Sequence, residues 1–155
     1  AVAALGVPIV LMHIKGTPKD MQKNPHYDDV IQEIYTYLKN SVNLAAQAGI
    51  KKEQVIIDPG IGFGKRLRDN YEIIRHLNVF DSIGCPILLG PSRKSFLGRV
   101  LNLDVDQRLE GTAAAVAIGI YNGAHIVRVH DIEEMVRVCR IADMISGKTP
   151  IDLYQ

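Results

Sequence analysis

The sequence predicts an α/β fold made of four strand–helix units, and three observations support that class. Four runs rich in Val, Ile or Leu are too short to be helices, which is typical of buried parallel strands. Segments with helical periodicity lie between and after these runs. The 155 residues correspond to about one domain, and no linker divides them. Strands that alternate with helices are expected to pair in parallel through right-handed crossovers.

The four predicted strands are continuously apolar, so we expect helices to cover both faces of the sheet. Turn-forming residues end two of them, since Asp58-Pro59-Gly60 follows the second strand and Gly90-Pro91 follows the third. The predicted strands are Pro8–Met12, Val55–Ile57, Pro86–Leu89 and Ile126–Val129.

Helices are predicted from the spacing of apolar residues and from residues that begin or end a helix. In the first helix, apolar side chains recur on one face and Gly49 provides the stop. The second and fourth are expected to begin at capping boxes. The third is apolar around nearly its whole circumference, so we expect a second subunit to cover it in a homodimer. The predicted helices are Asp28–Ala48, Asp69-x-x-Glu72 through Leu77, Gly111–Tyr121, and Asp131-x-x-Glu134 to Gly147.

Two architectures fit four such units. One is a small doubly wound sheet, and the other is half of a (β/α)₈ barrel, whose usual size is about 250 residues. Composition does not choose between them. Both gather functional groups at the carboxyl ends of the strands.

The composition excludes several classes of protein. A net charge of +1 gives no basic excess, so we expect no nucleic-acid partner. No apolar run approaches the roughly 20 residues that cross a bilayer, so we expect no membrane partner. The isolated Cys85 and Cys139 indicate neither a disulfide framework nor a zinc site, which fits the reducing cytoplasm. The apolar start lacks the basic segment of a signal peptide and an initiator Met, so we expect it to begin inside a longer gene product.

Polar residues follow every predicted strand, and convergence on one rim would make them a site. Asp58 is either a turn former or a carboxylate that accepts two parallel N–H bonds from an amidine-like ligand edge. The loop with Gly60, Gly62 and Gly64 is either flexible or approaches a ligand closely, with Phe63 as an apolar wall.

Basic residues follow the third and fourth strands. Lys94 belongs either to a solvated turn or to a site where its charge meets a heterocycle. Arg128 and His130 alternate, so they share one side and face either a core carboxylate or a phosphate. The remaining histidines are interpreted as surface or loop residues: His13, His26, His76 and His125.

Five stretches together resemble the dihydropteroate synthases, which are pterin-binding barrels. They are LMHIKGTPKDMQ, IIDPGIGFGK, LLGPSRKSFLG, EGTAAAVAIG and IVRVHD. The resemblance covers nearly the whole chain, with small departures at Ile14 and Pro91. It implies a partial barrel of the (β/α)₈ TIM class, in which residues 1–155 are the C-terminal half of a pterin-binding domain.

The resemblance implies a transferase of folate biosynthesis and a sulfonamide target. The reaction of that family joins 7,8-dihydropterin-6-ylmethyl pyrophosphate to p-aminobenzoate and releases pyrophosphate and 7,8-dihydropteroate. Asp58 and Lys94 would be catalytic and bind opposite edges of the pterin, and Met12 would pack on its ring face. Arg128 and His130 would hold the pyrophosphate, and Phe63 and Ser92 would line the p-aminobenzoate pocket.

The family's first four βα units have no counterpart here, and they normally carry further pterin ligands, mobile loops and the residue that binds Mg²⁺. The resemblance therefore implies Mg²⁺ as a cofactor, no metal ligand in this chain, and an inactive isolated fragment. Two alternatives stay open at this point. One is a methyltetrahydrofolate-dependent corrinoid methyltransferase, against which SRKSF followed by GTAA argues. The other is a pterin-binding half-barrel without catalytic activity.

Overall fold

The computed structural model describes residues 1–21 and 23–149. Short 3₁₀ helices at Lys52–Gln54, Leu77–Ile83 and Val105–Gln107 connect the main elements. The strands are β1 (Ile9–Met12), β2 (Val55–Asp58), β3 (Leu88–Leu89) and β4 (Ile126–Val127). The α-helices are α1 (Val2–Leu5), α2 (Val30–Gln47), α3 (Leu67–Arg75), α4 (Ser95–Leu101), α5 (Leu109–Tyr121) and α6 (Ile132–Ile145).

The strands lie side by side in chain order, and each pairs in parallel with the next. β1 pairs with β2, and β3 pairs with β4. A parallel bridge between Ile57 and Ile87 joins the two pairs. A doubly wound sheet would reverse its strand order at a switch point, whereas a barrel wall keeps consecutive order. The observed order therefore indicates a partial barrel.

Among residues 1–21 and 23–149, helices cover one face of this sheet well and leave the other partly exposed. Val10 lies opposite Ile56 in register, and Leu88 lies opposite Ile126. These four are the most exposed residues of their strands, and Val10 is 46% exposed. Because successive side chains alternate between faces, the four share the face away from the main core. The prediction that both faces are covered is wrong, and in a complete barrel this face is the packed interior.

The first and third predicted helices are confirmed. The Asp29 carboxylate caps α2 by accepting the Gln32 N–H at 3.0 Å. Gly49, just after α2, has φ +83, the left-handed conformation that commonly ends a helix. α5 begins two residues before the predicted Gly111, at Leu109.

The capping box at Asp69 is misplaced by one turn. α3 begins at Leu67, and the Asp69 carboxylate accepts the backbone N–H of Arg66 at 2.8 Å. Asp69 is therefore the acidic partner of the cap instead of the first capping residue. The helix ends at Arg75, and Leu77 opens the next 3₁₀ helix.

Helices α1 and α4 were not predicted, because four and seven residues are too few to show a helical period. No helix within residues 1–21 and 23–149 is long and apolar enough to cross a membrane.

Candidate functional site

The carboxyl ends of the four strands bring all the predicted site residues to one rim. Met12 and Asp58 are register partners at the ends of β1 and β2. On the other pair, the backbone N–H of Arg128 donates to the carbonyl of Leu89 at 3.0 Å. The rim carries Met12, Asp58, Phe63, Ser92, Lys94, Arg128 and His130.

The Asp58 carboxylate is buried at the centre of this rim. One of its oxygens accepts the Gly60 backbone N–H at 2.7 Å, so the turn role of Asp58 is confirmed. Burial raises the pKa of Asp58, and the Gly60 N–H and the charges of Lys94, Lys65 and Arg128 oppose that rise. A buried carboxylate with several cations around it is suited to bind N–H donors.

The glycines after β2 allow one loop to press against another. A Cβ on Gly60 would lie 1.9 Å from the carbonyl oxygen of His13, and a Cβ on Gly64 would lie 2.3 Å from that of Lys15. Both glycines also have positive φ. The Tyr27 hydroxyl donates to the Gly64 carbonyl at 2.6 Å. The flexible interpretation of this loop is wrong, because its glycines are needed for contact with the loop after β1.

Lys94 is half-buried, so the prediction of a solvated turn is wrong for it. Its ammonium group donates to the carbonyl of Ile61 and lies 4.5 Å from the centre of the Phe63 ring. Burial lowers the pKa of Lys94 to about 8. The positive charge of Arg128 lowers this pKa further, whereas the negative charge of Asp58 opposes the fall. The cation and the aromatic ring thus form one wall of the site.

Ser92 and His130 are joined across the ends of β3 and β4. The Ser92 Oγ lies 2.8 Å from the His130 Nδ1 and accepts the His130 backbone N–H at 3.1 Å. Within residues 1–21 and 23–149, Arg128 forms no ion pair with a carboxylate. Arg128 is exposed, and its charge acts on the Asp58 carboxylate, so its role towards a phosphate stays a prediction.

Asp131 anchors the rim and does not cap its helix. It occupies the first capping position of α6, but its side chain makes no capping bond. Its carboxylate instead accepts from the Arg93 guanidinium, with Nε to Oδ2 at 3.0 Å. Arg93 has φ 55, and its backbone N–H donates to the Thr112 hydroxyl at 3.0 Å. The predicted capping box is therefore wrong, and the ion pair fixes the loop that carries Ser92 and Lys94.

Two buried residues of the site were missed by the sequence interpretation. His13 lies in the loop directly after β1, which agrees with the prediction, but it is buried at 5% exposed, whereas the other three histidines are exposed. Its Nδ1 lies 3.0 Å from the Nζ of Lys65, which is equally buried. Burial, with the charges of Lys65 and Lys15, lowers the pKa of His13 to about 3. The available signal was that His13 directly follows a strand and Lys65 closes the glycine loop.

The described residues do not fit a magnesium site of their own. Mg²⁺ prefers oxygen ligands in an octahedral arrangement, whereas Arg128 and His130 offer only nitrogen. In the part of the chain that the structure describes, no three His, Cys, Asp or Glu side chains could share a metal ion.

The fold and the rim together define a partial barrel with a buried carboxylate between cations. The chain matches the family model of the pterin binding enzymes over residues 1–130, and it belongs to that family. It is similar to the dihydropteroate synthase of Escherichia coli, strain K12, with 44% identity over 143 residues. That match covers 92% of this chain and 51% of the relative, so the chain spans about half the length of the relatives it matches.

Solved structures give the same result. A Yersinia pestis dihydropteroate synthase in complex with a sulfonamide drug superposes with a TM-score of 0.92 at 39% identity, covering 95% of this chain and 54% of that one. The Xanthomonas albilineans enzyme with 4-aminobenzoic acid gives 0.86 at 38% identity, covering 96% and 52%. These matches confirm the partial barrel and favour the synthase family over the methyltransferase.

Proposed function

We propose that this chain supplies the C-terminal half of a dihydropteroate synthase site. The observation that carries the proposal is the cluster of Asp58, Lys94 and Arg128, whose charges act on one another at the strand ends. The similarity to proteins named dihydropteroate synthase supports the same reaction.

In this proposal Asp58 and Lys94 recognise the two edges of the pterin. The Asp58 carboxylate accepts hydrogen bonds from the amino group and ring N–H, and the Lys94 ammonium donates to the opposite edge. Met12, beside Asp58 in register, packs on the ring face.

The leaving group departs on the side of β4. Arg128 and His130 hold the pyrophosphate, and their charge and hydrogen bonds stabilise it as the bond from the pterin methylene to its oxygen breaks. The nitrogen of p-aminobenzoate then forms a bond to that methylene and loses a proton. No covalent enzyme intermediate is required.

The acceptor pocket lies beside Lys94. Phe63 provides an apolar wall, and Ser92 lines the pocket from the loop after β3. The Xanthomonas structure with 4-aminobenzoic acid supports this acceptor class, and the Yersinia sulfonamide complex supports the proposal that the protein is a sulfonamide target.

Further proposals concern the whole protein. Mg²⁺ would accompany the pyrophosphate, with its protein ligand outside these residues.

A cytoplasmic homodimer would form through α5, on whose surface Ile118 is 53% exposed. Light scattering on Ile118→Glu tests that contact, and an unchanged dimer would exclude it.

The proposed function is tested by measuring pterin binding through the change in fluorescence of the pterin. The wild-type chain should bind the pterin. Asp58→Asn should weaken binding at least about tenfold, because the N–H donors of the bound pterin lose their charged acceptor. Asp81→Asn, an exposed aspartate far along the chain, is the matched control and should bind normally. Equal binding by all three proteins would show that Asp58 is not the pterin ligand.

A further inference from the structure

Lys65 is a buried lysine that the proposed reaction does not use. It is 5% exposed, and its ammonium group donates to the Phe63 carbonyl at 2.8 Å. The same group lies 3.0 Å from the Nδ1 of His13. Burying an ammonium group costs considerable free energy, so this position calls for a compensating interaction.

The positive charge of this pair resides on Lys65. Below pH 7, where Lys65 is protonated, its ammonium group has only donors, so the His13 Nδ1 accepts and the imidazole proton lies on Nε2. Burial and the neighbouring lysines lower the pKa of His13 to about 3, which keeps the imidazole neutral. His13 is therefore a fixed acceptor that orients the ammonium group of Lys65.

Lys65 lies close to Gly60, in the turn that binds the Asp58 carboxylate. Its Nζ is 3.3 Å from the position a Cβ would take on Gly60. The Gly60 N–H is the group that binds the Asp58 carboxylate, at 2.7 Å. The His13 backbone N–H also donates to the Asp58 carbonyl, at 2.9 Å. Lys65, His13 and Gly60 thus form one support under the carboxylate.

We propose that Lys65 is a positioning residue that keeps the Asp58 carboxylate ionised and fixes the loop that carries it. Lys94 and Arg128 also attract this carboxylate, Lys94 more strongly than Lys65. Lys65 differs from both in being buried, whereas Lys94 is half-buried and Arg128 is exposed. The inference rests on the proposed function only in taking Asp58 as the pterin ligand.

Other charged groups influence the pKa values of Asp58, Lys65 and His13 and must be considered when these residues are titrated. The interactions of Asp58 are with Lys65, Lys94 and Arg128, and those of Lys65 are with Asp58, Lys94 and Asp69. His13 is influenced by Lys65, Lys15 and Glu33. Burial lowers the pKa of Lys65 to about 7, and Asp58 is the first of the charges that oppose this fall.

The test titrates Asp58 directly, without any ligand. Carboxyl carbons of the aspartates are labelled, and the Asp58 signal is assigned by its loss in Asp58→Asn. In Lys65→Met, which keeps an unbranched side chain one atom shorter and removes the charge, the Asp58 titration should move to higher pH by about 1 pH unit. Lys19→Met, at an exposed lysine, is the control and should leave the Asp58 titration unchanged.

A second measurement does not depend on a Lys65 variant that folds. Coupling is reciprocal, so removing the charge of Asp58 must lower the pKa of Lys65 by a similar amount. The Lys65 Nζ is titrated by nitrogen NMR in wild type and in Asp58→Asn. An unmoved Lys65 titration in Asp58→Asn, or an unmoved Asp58 titration in folded Lys65→Met, overturns the proposal.

Pterin binding separates this proposal from the proposed function. If wild type binds no pterin while both titrations shift, the proposed function fails and the action of Lys65 on Asp58 stands. If wild type binds pterin and neither titration shifts, the proposed function stands and the role of Lys65 is refuted.

Discussion

Replacing Gly60 by Ala tests whether the loop after β2 is held by close packing against the loop after β1. Two costs are expected. A residue other than glycine at φ +74 is strained by about 1–2 kcal/mol. The new Cβ would also lie 1.9 Å from a backbone carbonyl oxygen, that of His13, which cannot rotate away as a flexible side chain could. Forced overpacking of this kind typically costs about 1–3 kcal/mol more.

Gly49→Ala is the matched control because it carries the first cost without the second. Gly49 has φ +83, and no atom lies within 4 Å of the position a Cβ would take. The strain should therefore cancel in the comparison, which leaves the steric cost of about 1–3 kcal/mol for Gly60→Ala alone.

Urea unfolding followed by far-UV circular dichroism measures the difference. With a slope near 2 kcal/mol/M, the midpoint of Gly60→Ala should fall about 0.5–1.5 M below that of Gly49→Ala. Equal midpoints for the two variants, with equal slopes, would refute the idea that the loops are in enforced contact.

Three further outcomes are expected. The folded-state pKa of His13 is about 3, below its ordinary value of 6.5, so the unfolded chain binds the additional proton and stability falls as pH drops from 6.5 towards 3. Urea midpoints at pH 7 and pH 5 should therefore differ less in His13→Asn than in wild type. The chain alone should form no dihydropteroate in a product assay, whereas adding the other half of the Escherichia coli relative should restore turnover. Pyrophosphate binding near pH 8 should take up protons, because an anion on Arg128 offsets the repulsion that lowers the pKa of Lys94, and calorimetry in buffers of different ionisation enthalpy would detect this.

The strands and the rim could be predicted because their signals are local. Each apolar run is bounded by a turn, as Val55–Asp58 is by Pro59 and Gly60. Parallel pairing then places the residues after every strand at one edge without knowledge of any side-chain contact. This is why Asp58 and Lys94 were placed correctly relative to the fold.

The support beneath the rim could not be predicted, because it depends on contacts between distant residues. His13 and Lys65 are 52 positions apart, and neither shows an apolar pattern that would place it inside. The predictions that acidic residues cap α3 and α6 were wrong for a related reason. Asp131 has the spacing of a cap, but Arg93, 38 positions away, binds its carboxylate.

The charges around Asp58 explain why such a site would favour an anionic substrate. One buried carboxylate interacts with three cations, Lys94, Lys65 and Arg128. Two of these cations already have lowered pKa values, about 8 for Lys94 and about 7 for Lys65. A neutral heterocycle would satisfy the hydrogen bonds of Asp58 but would leave this excess of positive charge. In the proposed function, a pyrophosphate attached to the heterocycle would balance this charge, so we expect the activated pterin to bind more tightly than the free pterin.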